Sequence, residues 1–223
     1  MNAVMRSTAM NEDLLQFGLK AFVTMFVVVD PVGVAPMFVA LTRGSNTVER
    51  RTTLLRAIVI AFAVTLFFLL AGRYVLFHLG VTVHAFAISG GILLFVTALP
   101  MLFGQRPGLQ APERDERGAA GEDIAIFPLA IPLLSGPGTI TTILLLTNQA
   151  GADSRRIAAL ALVTVWVYTI SWLVLHAGER LMSLLGESKI HIITRVLGIV
   201  LAALAVQYVL NGITGYYQTL VTG

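Results

Sequence analysis

The chain has 223 residues, 57% of them hydrophobic and only 12% charged, whereas a soluble domain carries roughly a quarter charged residues; with a mean hydropathy of +0.84 it reads as a polytopic membrane protein. It contains no cysteine, which excludes disulfides, thiolate metal sites and thiol redox relays. The net charge of +3 comes from basic residues spread over short connections, not over one continuous face, so they set topology and argue against nucleic acid.

Crossing an apolar layer of about 30 Å takes roughly 20 helical residues, and six runs meet that length: 14–41, 57–79, 81–103, 124–146, 157–177 and 192–213. The amino-terminal segment holds Arg6 but also Glu12 and Asp13, and the first apolar run continues without a small-residue cleavage pattern, so a removed signal is not expected.

The first run is interrupted at its centre by "MFVVVDPVGVAPMF" (25–38). Pro31 and Pro36 cannot donate backbone hydrogen bonds, and Pro31 also pushes Asp30 out of right-handed helical geometry. The expected result is a helix break, with Asp30 as N-cap and Pro31 as first residue of a new helix. Asp30 is the only carboxylate deep in an apolar run; a charged Asp there costs about 2.5–3.5 kcal/mol on insertion scales and so faces a cavity or a partner.

In the second and third runs, Gly90 and Gly91 are expected to let helices approach closely, as is Gly198 further on. The connection 104–123, "GQRPGLQAPERDERGAAGED", mixes charge with Gly and Pro and reads as a flexible linker. The fourth run is loosened by Pro128 and Pro132 and then meets "SGPG" at 135–138, with Ser135 as the expected cap. The hydroxyls of 139–142 either satisfy their own helix or face a ligand. Gln207 and Asn211 in the last run read as interhelical hydrogen-bonding groups, and His78, His84, His176 and His191 lie at run ends without metal-ligand spacing.

Sliding the chain by 105 residues lays "VVVDPVGVAPMFVALT" (27–42) over "PLLSGPGTITTILLLT" (132–147), pairing Asp30 with Ser135, Gly33 with Gly138 and Thr42 with Thr147. Arg50 and Arg51 then fall on Arg155 and Arg156. With one added residue Gly72 meets Gly178 and Gly80 meets Gly186, and one more brings Gly91 onto Gly198. Three runs per half is an odd number, so the second copy enters from the opposite side. The expected fold is therefore an all-α membrane protein of six transmembrane helices, arranged as two inverted-topology three-helix repeats (about 14–103 and 124–215) in one integral membrane domain. The first helix of each repeat is expected to be broken near the midplane.

Unpaired backbone at that depth is tolerated only inside protein or against a wet cavity. The two breaks thus imply a shared polar pocket, in which helix starts suit a carboxylate while Asp30, freed carbonyls and hydroxyls suit an ammonium group. The substrate-binding candidates are Asp30, Pro31, Gly33, Pro36, Ser135, Gly136, Pro137, Gly138, Thr139 and Thr142. No catalytic or metal site is expected: Asp30 has no second acid or histidine beside it in the sequence, and an intramembrane enzyme would need one.

From these residues outward the chain resembles the MarC family of integral membrane proteins, which includes small neutral amino acid transporters. The resemblance runs over essentially the whole chain and is carried by "DPVGVAPMFVALT" (30–42), "ISGGILLFVTALPMLFG" (88–104), "IAIFPLAIPLLSGPGTITT" (124–142) and "RVLGIVLAALAVQYVLNGI" (195–213). It implies a six-span inner-membrane protein with glycine- or alanine-like substrates in its transporter members. Two positions depart from the family pattern: Ala87 stands where an arginine often precedes the paired glycines, leaving Arg195 as its counterpart in the second half, and Pro100 is expected to kink the third span.

Lys and Arg number ten in the connections after spans one, three and five (Arg43, Arg50, Arg51, Arg56, Arg106, Arg114, Arg117, Arg180, Lys189, Arg195). Five lie at the amino terminus and after spans two and four (Arg6, Lys20, Arg73, Arg155, Arg156), placing both termini on the periplasmic side. The expected function is a proton- or cation-coupled secondary transporter of small neutral amino acids in the bacterial inner membrane. It needs no cofactor, its partners are a zwitterionic substrate and the bilayer, and homo-oligomerisation is left open. The alternative is a non-transporting membrane assembly or regulatory protein of the same fold.

Overall fold

The computed structural model describes residues 2–104 and 123–222; the 104–123 linker therefore lies, apart from its two end residues, outside the described residues. All regular structure among the described residues is helical. In chain order the elements are α1 (Asn2–Val29), α2 (Pro31–Leu41), α3 (Thr47–His78) and α4 (Val83–Leu102). A proline-rich segment (Ala125–Leu134) then precedes α5 (Pro137–Ala150), α6 (Ser154–His176) and α7 (Gly178–Thr222).

Helix starts follow local capping chemistry and not the edges of the apolar runs. Asn46 and Glu49 form a reciprocal capping box (2.8 and 3.1 Å), so α3 begins at Thr47, well before the apolar run at 57. Thr82 caps α4 and Asp153 caps α6 through first-turn backbone N–H groups (3.1 and 2.9 Å). Gly186, at φ 72°, breaks α7 near its start, a conformation open to glycine and strained for most other residues. Pro100 falls in the last turn of α4, which continues as helix to Leu102.

Among the described residues, five stretches are each long and apolar enough to cross a membrane: Glu12–Leu41, Thr47–His78, Val83–Leu102, Ser154–His176 and Ser188–Val221. The proline-rich segment and α5, bent by 50°, make a sixth when taken as one broken span. Contacts between their ends give the direction of each pass. On one face Arg156 meets Asp13, the Lys20 ammonium donates to the Gln149 side chain (3.3 Å), and Arg73 donates to the Gly151 carbonyl (3.4 Å). On the other, Arg50 meets Glu179 and Arg56 meets Asp123 (3.5 Å). Positions before pass one and after passes two and four share the first face; those after passes one, three and five share the second.

α3 and α6 pack against one another at the centre, with α1 and α2 against α6, the proline-rich segment and α5 against α3, and α4 lying along α7. The main core gathers Met25, Phe38, Leu54, Leu129, Leu134, Ile143, Leu160 and Leu175, all buried. Lipid tails are as apolar as these side chains, so association relies on close backbone approach. Gly91 lies against the Ala205 carbonyl and Val209, and Gly198 against Met101, as expected of them. Large apolar side chains such as Leu70, Phe77, Leu162 and Trp166 are exposed on the outer faces, where bilayer tails replace water.

Candidate functional site at the two helix breaks

Asp30 forms the first break alone. It is buried, adopts the left-handed conformation (φ 46°, ψ 60°), and its carboxylate accepts a hydrogen bond from the Gly33 N–H at 3.1 Å. Pro31 follows as first residue of α2, as the cap-then-proline pattern predicts. The break is tighter than the sequence suggests, because the Asp30 N–H still donates to Phe26 and its carbonyl still accepts from Val34 (both 3.0 Å). A left-handed residue lets the ladder resume within one residue, and Asp tolerates that region better than most. α1 and α2 thus remain a single span, with Pro36 inside α2.

The second break is larger and differently built. The proline-rich segment leaves right-handed helical geometry at Phe127 and Ile131, each directly before a proline. Its turns are wide: the Ser135 N–H donates to Ala130 (2.9 Å) and the Leu129 N–H to Ile124 (3.4 Å), both five residues back. Ser135 is consequently not the cap of α5. Its hydroxyl turns back to the Ala130 carbonyl (3.0 Å), Gly136 occupies the N-cap position, and no side chain caps the helix. A hydroxyl needs one acceptor, and the wide turn puts that carbonyl within reach.

The carbonyl of Leu134, left free at the bend, accepts from two hydroxyls: Thr139 across the break and Tyr168 from α6, each at 3.2 Å. The Tyr168 proton is committed to Leu134, so Thr65 of α3 is the donor in the 2.7 Å bond between Thr65 and Tyr168. These hydroxyls replace water at a depth where an orphaned carbonyl would be expensive. Tyr168 and Thr65 carry no signal in the sequence beyond being polar groups in apolar runs.

Asp30, Pro31 and Gly33 gather at the start of α2, and Ser135, Gly136, Pro137, Gly138 and Thr139 at the start of α5. The start of α5 lies against the end of α1, since a Cβ built on Gly138 would be 3.4 Å from Val28 Cγ1, two residues before Asp30, and would overlap Leu94 of α4. Thr142, buried, accepts a hydrogen bond from the Tyr208 hydroxyl of α7 (3.0 Å). Thr141, buried and without a hydrogen-bond partner among the described residues, presses on Gly90.

Outside the breaks one expectation changes, and the histidines lie at helix ends as expected. Gln207 and Asn211 bond each other along α7 (2.8 Å) and are exposed, because four-residue spacing puts them on one helix face. Arg195 is exposed and reaches the end of α4 at Gly104, away from the breaks. His78 bonds the Tyr74 carbonyl (3.0 Å) and His176 stacks on Trp172 (5.4 Å between ring centres), both at helix ends.

Comparison with known proteins shows the family. The sequence profile described as "MarC family integral membrane protein" matches residues 15–217. The chain belongs to the MarC family. A UPF0056 membrane protein of Archaeoglobus fulgidus is 36% identical over 89% of this chain and 93% of its own. One from Methanocaldococcus jannaschii is 33% identical over 90% and 98%, and YvbG of Bacillus subtilis, also a UPF0056 membrane protein, is 30% identical over 93% and 99%. No solved structure matches the chain. This MarC-family chain is thus an integral, multi-pass membrane protein with relatives in bacteria and archaea.

Proposed function

We propose that this MarC-family protein is a secondary transporter of small neutral amino acids, glycine- or alanine-like, that binds its substrate between the two helix breaks. The observation that carries the reading is the chemical asymmetry of the breaks. The start of α2 is already occupied by its own carboxylate, Asp30 on Gly33, which leaves negative charge for an ammonium group. The start of α5 has no side-chain cap, so its dipole and first backbone N–H groups suit a carboxylate. A zwitterion oriented between them satisfies both ends. Asp30, Pro31, Gly33, Pro36, Ser135, Gly136, Pro137, Gly138 and Thr139 are the proposed site, with Thr142 supporting it through Tyr208.

An inverted pair of repeats (about 14–103 and 124–215) in one integral membrane domain accounts for features that composition alone does not. At the 105-residue offset, Thr42 donates to Phe38 (2.8 Å) and Thr147 to Ile143 (2.7 Å), the same bond in each half. At 106, the buried Leu54, Ala61, Thr65 and Leu69 match the buried Leu160, Val167, Ser171 and Leu175, and the positive φ of Gly80 matches that of Gly186. At 107, Leu94, Ala98 and Met101 match Leu201, Ala205 and Tyr208. Contacts pair likewise: α2 with α7 as α5 with α4, and α1 with α6 as the proline-rich segment with α3. Asp30 then couples transport to a proton or another cation, without catalysis, in the inner membrane with both termini outside.

The test is counterflow of labelled glycine, alanine and serine into proteoliposomes, with and without a pH gradient, for wild type and Asp30→Asn. Uptake by wild type that is lost in the variant is expected. Folded protein that moves none of the three sinks the reading and favours a non-transporting assembly protein.

A further inference from the structure

Two arginines at opposite faces of the membrane hold the halves of the chain together in the same way. Arg50, in the first turn of α3, lies with its guanidinium carbon 5.1 Å from the ring centre of Phe38 and pairs with Glu179 at the start of α7. Arg156, in the first turn of α6, lies 5.6 Å from the ring centre of Phe17 and pairs with Asp13 of α1. Arg50 and Arg156 are 106 residues apart, the offset that matches the buried positions of α3 and α6. Each pair joins a residue before the linker to one after it.

The two ends of each pair differ in a way that suits a contact made and broken repeatedly. The arginine side chains are 16% and 29% exposed, while those of their acids, Glu179 and Asp13, are 67% and 61% exposed. Each arginine is anchored on an aromatic face, and its acid is free to leave into water with little loss, as exposed ion pairs are weak. The Nη2 of Arg50 is buried and has no hydrogen-bond partner among the described residues.

We propose that Arg156–Asp13 and Arg50–Glu179 are the two gates of the transport cycle, each closing one face over the helix breaks, and that the structure is the doubly closed state. Release of Asp13 opens the face bearing the termini, and release of Glu179 opens the opposite one. This rests on the transport reading, but gating is measurable without transport.

The natural absence of cysteine makes Thr139→Cys, at the start of α5, a clean reporter for a membrane-impermeant maleimide applied from either side of sealed vesicles. Asp13→Asn should raise labelling from the face of the termini alone, and Glu179→Gln from the other face alone, each by roughly two- to five-fold, the shift an exposed pair can exert. Exchanging the charges, Asp13→Arg with Arg156→Asp, should return labelling to the starting rate. Cross-linking Asp13→Cys to Arg156→Cys, in protein whose other residues are native, should block opening at that face and with it uptake. Labelling that rises equally from both faces, or from neither, overturns the gates. Uptake is read separately in protein that keeps Thr139: face-specific labelling of the reporter with no uptake by the Thr139 protein upholds the gates and removes the transport reading, and uptake by that protein with unresponsive labelling does the reverse.

Discussion

The hydroxyl of Tyr168 donates to the carbonyl of Leu134, the residue at which the fourth span bends, and accepts from Thr65. One side chain on α6 therefore ties α3 to the end of the proline-rich segment, and the bend is held from outside its own strand of sequence.

Removing that hydroxyl leaves Thr65 without its acceptor and Leu134 with Thr139 alone. Tyr168→Phe should destabilise the protein by about 1 kcal/mol, within the range of interhelical hydrogen bonds in membranes. Adding Thr65→Val should recover part of the loss, because both partners of one bond are then gone. Thermal unfolding in detergent of the single and double variants measures this.

Gly90 and Gly91 should respond differently to a single methyl group. At Gly91 it meets the backbone carbonyl of Ala205, which cannot move without moving α7. Gly91→Ala should cost about 1–3 kcal/mol, the usual penalty of overpacking, with no single-residue remedy. At Gly90 the nearest atoms it meets all belong to the side chain of Thr141, so the cost of Gly90→Ala should be largely reversed by Thr141→Gly. The melting temperatures of the two single variants and the double variant decide it.

Asp30 combines a cap, a left-handed backbone and a charge, and two substitutions separate them. Asn keeps an acceptor for the Gly33 N–H and tolerates φ 46°, so Asp30→Asn should stay within about 0.5 kcal/mol of wild type while losing uptake. Asp30→Ala loses the cap and strains the backbone, and should cost about 1–3 kcal/mol as well as uptake. Equal stability of the two variants would deny Asp30 its structural role.

Zwitterion recognition requires both charges on the ligand. Glycinamide lacks the carboxylate for α5 and N-acetylglycine lacks the ammonium for Asp30, so neither should compete with labelled glycine, whereas alanine should. Competition by N-acetylglycine equal to that of alanine would remove Asp30 from substrate contact.

The orientation is open to a direct check with single cysteines in the cysteine-free chain. Ser154→Cys, exposed on the face shared with Asp13, should react with an impermeant reagent in intact cells, and Ser45→Cys only after permeabilisation. The opposite pattern inverts the topology.

Features whose cause lies within a few residues are readable in the sequence. Asp30 before Pro31 is a cap whatever surrounds it, since a side-chain acceptor and a proline ring act on the next turn. Ser135 reads as a cap by the same rule, yet Gly136 takes the N-cap position of α5, and the Ser135 hydroxyl donates back to the Ala130 carbonyl in the wide-turned proline-rich segment. Gln207 and Asn211 read as links between helices only because a helix position does not reveal which of its faces meets a neighbour.

Length, apolar runs and basic connections are properties of the chain as a string, and they determined an all-helical, multi-pass membrane protein with helix breaks at Asp30 and in the proline-rich stretch before α5. The tertiary structure decided which groups meet: Tyr168 with Leu134, Val28 beside Gly138, Arg50 on Phe38 with Glu179, and Arg156 on Phe17 with Asp13. Away from water, a buried polar group takes whichever partner the packed helices bring within about 3 Å. That partner lies at no fixed distance along the sequence, so only the assembled bundle selects it.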